Sequence, residues 1–128
     1  MKANTILLER PARAISSSLD TITVGARLDS GCAKQFARAL TRLADKRTPF
    51  IIIDMTHTKA VDSSGFGALI AGFRKLAGYG SAAVVVCSNP TVRRLFDFAG
   101  VARMITIVDR LKQARQLCLD HSQRALAS

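Results

Sequence analysis

A continuous run of apolar residues at positions 50–53 (Phe-Ile-Ile-Ile) constrains the fold more than any other feature of the chain. Successive side chains of a β-strand point to opposite faces, so a run without polar alternation needs cover on both faces. Residues 82–86 (Ala-Ala-Val-Val-Val) form a second such run. Strands covered on both faces are typical of the parallel sheets of α/β proteins. The two runs therefore predict an α/β domain with these strands in its interior.

Helical periodicity flanks the first run on both sides. Apolar residues recur at offsets of 0, 3, 4, 7, 10 and 11 from Ala33, and the same offsets recur from Phe66. This spacing places the apolar side chains on one face of a helix. We expect Asp29 or Ser30 to cap the first helix, and we expect the second helix to end near Gly78.

The rest of the chain continues the alternation of strands and helices. Strands are predicted at residues 21–24 and 104–108. A third helix is predicted between Asn89 and Gly100, and a fourth is predicted to be capped by Asp109. The residues expected to face inward are Val92, Leu95, Phe96 and Ala99 in the third helix and Leu111, Ala114, Leu117 and Cys118 in the fourth.

This order of elements predicts one α/β sandwich with a largely parallel sheet. We expect residues 19–128 to form the domain, with a turn at residues 25–29. Residues 1–18 precede it, and they are compatible either with an edge strand near residues 5–8 or with a flexible arm.

The cysteines and the hydropathy exclude several classes of protein. Cys32, Cys87 and Cys118 are odd in number and lack paired spacing, so neither a disulfide framework nor a zinc site is expected. No segment approaches the roughly 18 consecutive apolar residues of a membrane span, and the N-terminus lacks a signal-peptide core. We therefore expect a cytoplasmic protein with idle thiols, no metal and no cofactor.

The chain carries a formal net charge of +10. Basic residues attract nucleic acid, anionic lipid or acidic proteins, in a way that weakens with salt. Here they are spread along the chain, and no aromatic residues are interleaved with them as a platform for stacked bases would require. A solvated basic surface and a functional electrostatic patch both remain open, and direct binding of nucleic acid is not expected.

The sequence Asp62-Ser63-Ser64-Gly65 opens the second helix. A serine there caps the helix, with an effect of about 1 kcal/mol, and that role alone would explain one serine of the pair. The small residues that follow suggest that another backbone or surface approaches the helix start closely. A helix N-terminus also accommodates an anion, so the fold would tolerate a phosphate on Ser63 that adds about −1.5 to −2 charges.

Four separated motifs resemble the STAS domain, and most closely the bacterial anti-sigma factor antagonists. They are residues 25–29 (GARLD), 51–54 (IIID), 61–67 (VDSSGFG) and 89–94 (NPTVRR), in that order along the chain. The resemblance covers about residues 19–115. It implies a mixed, mostly parallel sheet of four or five strands with helices mainly on one face.

The resemblance also implies a site. The first serine of its motif, Ser63, would be phosphorylated by an anti-sigma factor that is a serine kinase, and a phosphatase would reset it. The unphosphorylated protein would capture the anti-sigma factor and thereby free the sigma factor. The expected partner-binding residues are Asp29, Asp54, Asp62, Ser63, Ser64, Gly65 and Phe66.

Catalysis is not expected of this chain. Asp62 and Ser63 are adjacent, which does not give the base-to-nucleophile geometry of a triad, and His57 has no partner ligand or nucleophile in the sequence. Two rival functions stay open. One is a STAS subunit of a phospholipid ABC transporter complex that binds its ATPase, and the other is direct nucleic-acid binding through the basic surface.

Overall fold

A computed structural model describes residues 6–9, 19–98 and 105–127. Strands and helices alternate along most of the chain, as the hydropathy pattern predicts. The elements are β1 (Ile6–Glu9), β2 (Leu19–Val24), β3 (Arg27–Leu28), α1 (Ala33–Asp45), β4 (Phe50–Asp54), β5 (Ala60–Val61), α2 (Ser63–Gly78), β6 (Ala82–Val86), α3 (Pro90–Phe98), β7 (Thr106–Val108) and α4 (Leu111–Ala127).

The main sheet has the strand order β1-β2-β4-β6-β7. Strand β1 pairs antiparallel with β2, whereas β2, β4, β6 and β7 pair parallel with their neighbours. The prediction of a mixed, mostly parallel sheet is confirmed. Of the two alternatives open for the first 18 residues, the structure has an edge strand over Ile6–Glu9. Residues 1–5 and 10–18 lie outside the described residues.

The continuous apolar run of β4 is buried on both faces, as predicted. Ile51 and Ile53 belong to a core that also contains buried residues of α1, α2 and α3. Phe50 and Ile52 belong to a second core, together with Ala114 of α4. Three helices therefore pack on one face of the sheet and one on the other, which confirms that the helices lie mainly on one face.

The predicted caps of α1 and α4 are wrong. The N-cap of α1 is Cys32, without a side-chain hydrogen bond, and the main-chain carbonyl of Asp29 accepts from the N–H groups of Cys32 and Ala33. At the start of α4, Asp109 has a different role, because its carboxylate pairs with Arg93 at 2.6 Å. The side chain of Gln113 instead accepts from the N–H groups of residues 109 and 110.

The third helix differs from its prediction in one inward position. Val92 and Phe96 are fully buried, but Leu95 is exposed. Positions i and i+4 of a helix point to the same side, and Val92 and Phe96 form such a pair. Ala99 and Gly100 lie outside the described residues, as does Met104, the predicted start of β7.

No helix within the described residues is both long and apolar enough to cross a membrane. All three cysteines are buried. Burial raises the pKa of the Cys32 thiol above its usual value, and burial does the same to the pKa of Cys87. A raised pKa keeps the thiol protonated at neutral pH and above, which makes it a poor nucleophile.

We therefore expect the cysteines to react slowly with iodoacetamide at about pH 8, at least about tenfold more slowly in the native protein than in urea. Mass spectrometry over time, with and without denaturant, measures both rates. Rapid labelling of Cys32 or Cys87 in the native protein would contradict the burial and the raised pKa values.

Candidate functional site

A short parallel ladder between β3 and β5 positions the start of α2. Arg27 pairs with Ala60, and Leu28 pairs with Val61. The main-chain N–H of Asp62 extends the ladder by donating to the Leu28 carbonyl at 3.1 Å. The expectation of a simple turn at residues 25–29 is therefore wrong. Two-residue strands have no periodicity, so hydropathy gives no signal for them.

Asp62 is the N-cap of α2. Its Oδ1 accepts from the Gly65 N–H at 2.8 Å, and its Oδ2 accepts from the Ser30 N–H at 3.2 Å. One carboxylate thus satisfies a donor of the first helical turn and also ties the helix to the segment that precedes α1. The expectation that a serine caps this helix is wrong, because the residue before the serines does so.

Ser63 is the first residue of α2 and is exposed. Its hydroxyl forms no hydrogen bond in the described part of the chain. The capping bond to the first turn of α2 comes from Asp62 instead. Ser64 is also exposed. The Ser63 hydroxyl is therefore open to solvent at the positive end of a helix, and the fold does not use it.

Two glycines of α2 explain part of its run of small residues. A Cβ on Gly65 would lie 2.0 Å from the Leu28 carbonyl oxygen, and a Cβ on Gly72 would lie 2.1 Å from Leu40 Cδ1. A close approach by other parts of the chain was expected and is found at these two positions. Gly67 differs, because nothing lies within 4 Å of the Cβ it would carry. Gly67 is exposed, so its lack of a side chain leaves the helix surface bare.

Phe66 and Asp29 border the helix start in different ways. The half-buried Phe66 packs inward, and its ring is stacked on Phe96 with centroids 6.3 Å apart. The Asp29 carboxylate accepts from the Gly31 N–H at 2.9 Å and lies 3.8 Å from Arg27 Nε. Asp29 thus belongs to the segment that the Asp62 carboxylate holds against α2.

Asp54 lies in a different environment from the other predicted site residues. Its carboxylate accepts hydrogen bonds from the main-chain N–H and the hydroxyl of Thr56. It lines a cavity of about 730 Å³ that neither Asp62 nor Ser63 lines. The other lining residues are Thr56, His57, Ser88, Asp109, Arg110 and Leu111.

The fold places Asp109 on the same cavity as Asp54 and His57, which the sequence did not indicate. The residues of this cavity come from loops far apart in the chain, and no motif marks their proximity. Among the residues that the structure describes, no group of three or more histidine, cysteine or acidic residues could hold a metal ion.

Comparison with known proteins gives the same fold. A family model for the STAS domain matches residues 13–114. An anti-sigma factor antagonist from Mycobacterium paratuberculosis is 21% identical, with a TM-score of 0.75 over 88% of this chain and 92% of that one. SpoIIAA in its unphosphorylated form is 19% identical, with a TM-score of 0.68 over 93% and 98%. Phosphorylated SpoIIAA from Bacillus is 19% identical, with a TM-score of 0.69 over 88% and 99%.

Gly65→Ala should lower the free energy of unfolding by about 1–3 kcal/mol, because the new methyl group meets the Leu28 carbonyl. Gly67→Ala is the matched control in the same helical turn. It should raise the free energy of unfolding by up to about 1 kcal/mol, since alanine favours a helix and the site is open. Urea denaturation measures both values, and equal stability of the two variants would contradict the close approach at Gly65.

Proposed function

The chain belongs to the STAS domain family, and on that basis we propose that it is an anti-sigma factor antagonist that phosphorylation of Ser63 inactivates. In its unphosphorylated form it binds an anti-sigma factor that is also a serine kinase. A phosphatase acting on phosphorylated Ser63 restores binding. The observation that carries the proposal is an exposed Ser63 hydroxyl that the fold does not use.

The position of Ser63 suits a phosphate acceptor. A kinase must reach the hydroxyl and bring it in line with the γ-phosphate of ATP, which a buried or hydrogen-bonded side chain would hinder. Ser63 is exposed, and Asp62 supplies the cap that a serine could otherwise have provided. Phosphorylation therefore costs the helix no capping bond.

The same geometry supports a switch that acts on binding rather than on folding. A phosphate adds about −1.5 to −2 charges at the surface, and it is favourable next to the N–H groups of a first helical turn. Asp62 is exposed beside it and adds to the negative potential. Negative groups of a partner docked over this end of α2 would be repelled by the phosphate. The partner would also lose contacts that are shielded from water, while the domain stays folded.

The proposed docking surface is centred on the exposed residues Asp62, Ser63 and Ser64. Gly67 extends it with an open stretch of helix surface. Gly65 and Phe66 support it from below, because the glycine is buried and the ring packs on α3. Asp29 borders it through the segment that Asp62 holds. Asp54 would contribute only if a partner also reached the separate cavity that this residue lines.

In this proposal the chain supplies the phosphate acceptor and no catalytic residue. The kinase active site belongs to the anti-sigma factor. The exchange of partners takes place in the cytoplasm, where sigma factors and RNA polymerase meet.

Incubation with the cognate kinase and ATP should phosphorylate the protein once, at Ser63. Ser63→Ala should abolish incorporation, whereas Ser64→Ala, at the neighbouring exposed hydroxyl, should retain it. Intact mass and peptide mapping measure both. Incorporation that persists in Ser63→Ala would contradict the assignment.

Ser63→Asp should weaken binding to the anti-sigma factor by at least about tenfold relative to Ser63→Ala, because a charge replaces a hydroxyl within the interface. The aspartate variant should unfold no more easily than wild type, and a favourable helix-end charge should add about 0.3–1 kcal/mol. Calorimetric titration and thermal melts measure the two effects. Equal affinities would contradict the switch, and tight, charge-independent binding to a transporter ATPase would favour the rival function.

A further inference from the structure

Four cations form a row along the exposed surface of α1. Lys34, Arg38, Arg42 and Lys46 recur at every fourth position, and all four are exposed. A helix rises 1.5 Å per residue, so neighbouring charges in the row are separated by about 6 Å along the axis. The proposed exchange at Ser63 uses none of them.

Ion pairs within the fold do not explain the row, although Arg42 and the C-cap residue Lys46 lie at the negative end of the helix, where cations are favourable. None of its cations pairs with an acidic side chain in the part of the chain that the structure describes. Like charges four residues apart on a helix repel each other. Lys34 also lies in the first turn, at the positive end of the helix, where no acidic residue offsets it.

A groove runs beside the row. It encloses about 540 Å³, and its lining residues are Ala37, Arg38, Thr41, Arg42, Asp45 and Lys46. Ala37 and Thr41 are small, half-buried and one turn apart. Helices pack with their axes about 8–10 Å apart, and small side chains at the contact allow the closer approach. The groove therefore offers a floor of small side chains that is bordered by three cations and, at one end, by the carboxylate of Asp45.

We propose that this row and groove bind an acidic helix of a protein partner, one that carries Asp or Glu at every fourth residue. The two helices then have the same axial spacing of charges, so several ion pairs form at once. The guanidinium groups of Arg38 and Arg42 can each hold a carboxylate through two hydrogen bonds. The small side chains of Ala37 and Thr41 leave room for those side chains of the partner helix that lie between its carboxylates.

The surroundings of the row favour a protein helix over a lipid surface or a nucleic acid. A helix that lies on a membrane carries exposed Leu, Phe or Trp for insertion. The exposed large apolar residues of the described chain are Tyr79, Leu95 and Leu119, and none belongs to α1. Single-stranded nucleic acid needs aromatic side chains for stacking, and the phenylalanine of α1, Phe36, is fully buried.

This binding is independent of the proposed switch, because the row lies on α1 and Ser63 lies on α2. It requires no phosphorylation and stands whether or not the chain is an anti-sigma factor antagonist. The full chain is the material for the test, and surface charges on α4 provide a control on the opposite face of the sheet.

The probe is a capped, fluorescent, alanine-rich helical peptide with glutamate at four positions spaced by four residues. An isomer of the same composition and charge distributes its glutamates around the helix. At about 150 mM NaCl, we expect the first peptide to bind at least about tenfold more tightly than the isomer, by fluorescence anisotropy. Arg38→Glu/Arg42→Glu should lose at least about tenfold in affinity. Lys112→Glu/Arg115→Glu makes the same change in charge on α4, and its affinity for the first peptide should stay within about twofold of that of the wild type.

Three results would overturn the proposal. The first is equal binding of the two peptides, and the second is an equal loss of affinity in the two reversal variants. The third is tighter binding to phosphatidylcholine–phosphatidylglycerol vesicles, or to a short duplex DNA, than to the first peptide. Circular dichroism shows whether the variants are folded, and Arg38→Gln/Arg42→Gln replaces the reversal variant if that one is not.

Discussion

The carboxylate of Asp62 is the contact on which the candidate site depends. Its two oxygens accept from Gly65 in α2 and from Ser30 in the segment before α1, while its own N–H donates to Leu28. Two pieces of chain that are far apart in the sequence, residues 28–30 and 62–65, thus meet at one residue. Since Asp62 supplies the cap, the hydroxyl of Ser63 is not needed for a capping hydrogen bond. An exposed hydroxyl at a helix start is then free to be modified without loss of a contact that holds the fold.

The sheet anchors the helices that carry the two proposed surfaces. Strand β4 is buried on both faces, so the helices that carry the surfaces are anchored to a common interior. The exposed Asp62 gives the start of α2 a negative group, whereas the basic row of α1 pairs with no acidic side chain among the residues that the structure describes. The two helices pack against each other at Gly72 and Leu40, yet the start of α2 presents a carboxylate and α1 presents cations. The two proposals together assign two partners of different chemistry to one small domain.

Sequence patterns predicted the helices and strands whose signal extends over many residues. They failed for details, such as a helix cap, that a single tertiary contact determines. Helix α1 was predicted from the helical spacing of its apolar residues, and strand β4 was predicted from a continuous apolar run. A serine was predicted to cap α2 and Asp62 caps it instead, because both residue types are good caps and the contact with Ser30 favours Asp62. Leu95 fits the apolar stripe of α3, but burial requires a neighbour that only the fold supplies. The cavity lined by Asp54 and His57 is completed by Ser88 and Asp109, which come from segments that no local pattern relates.

The central claim is that a phosphate on Ser63 changes the surface at the start of α2 and leaves the domain intact. The ¹H–¹⁵N NMR spectrum of the protein with phosphoserine at position 63, compared with the unmodified protein, tests it most directly. The account predicts shifts confined to the first turns of α2 and to the segment around Ser30, with the amides of β4 and β6 unmoved. Shifts that spread through those central strands, or a loss of chemical-shift dispersion, would contradict it.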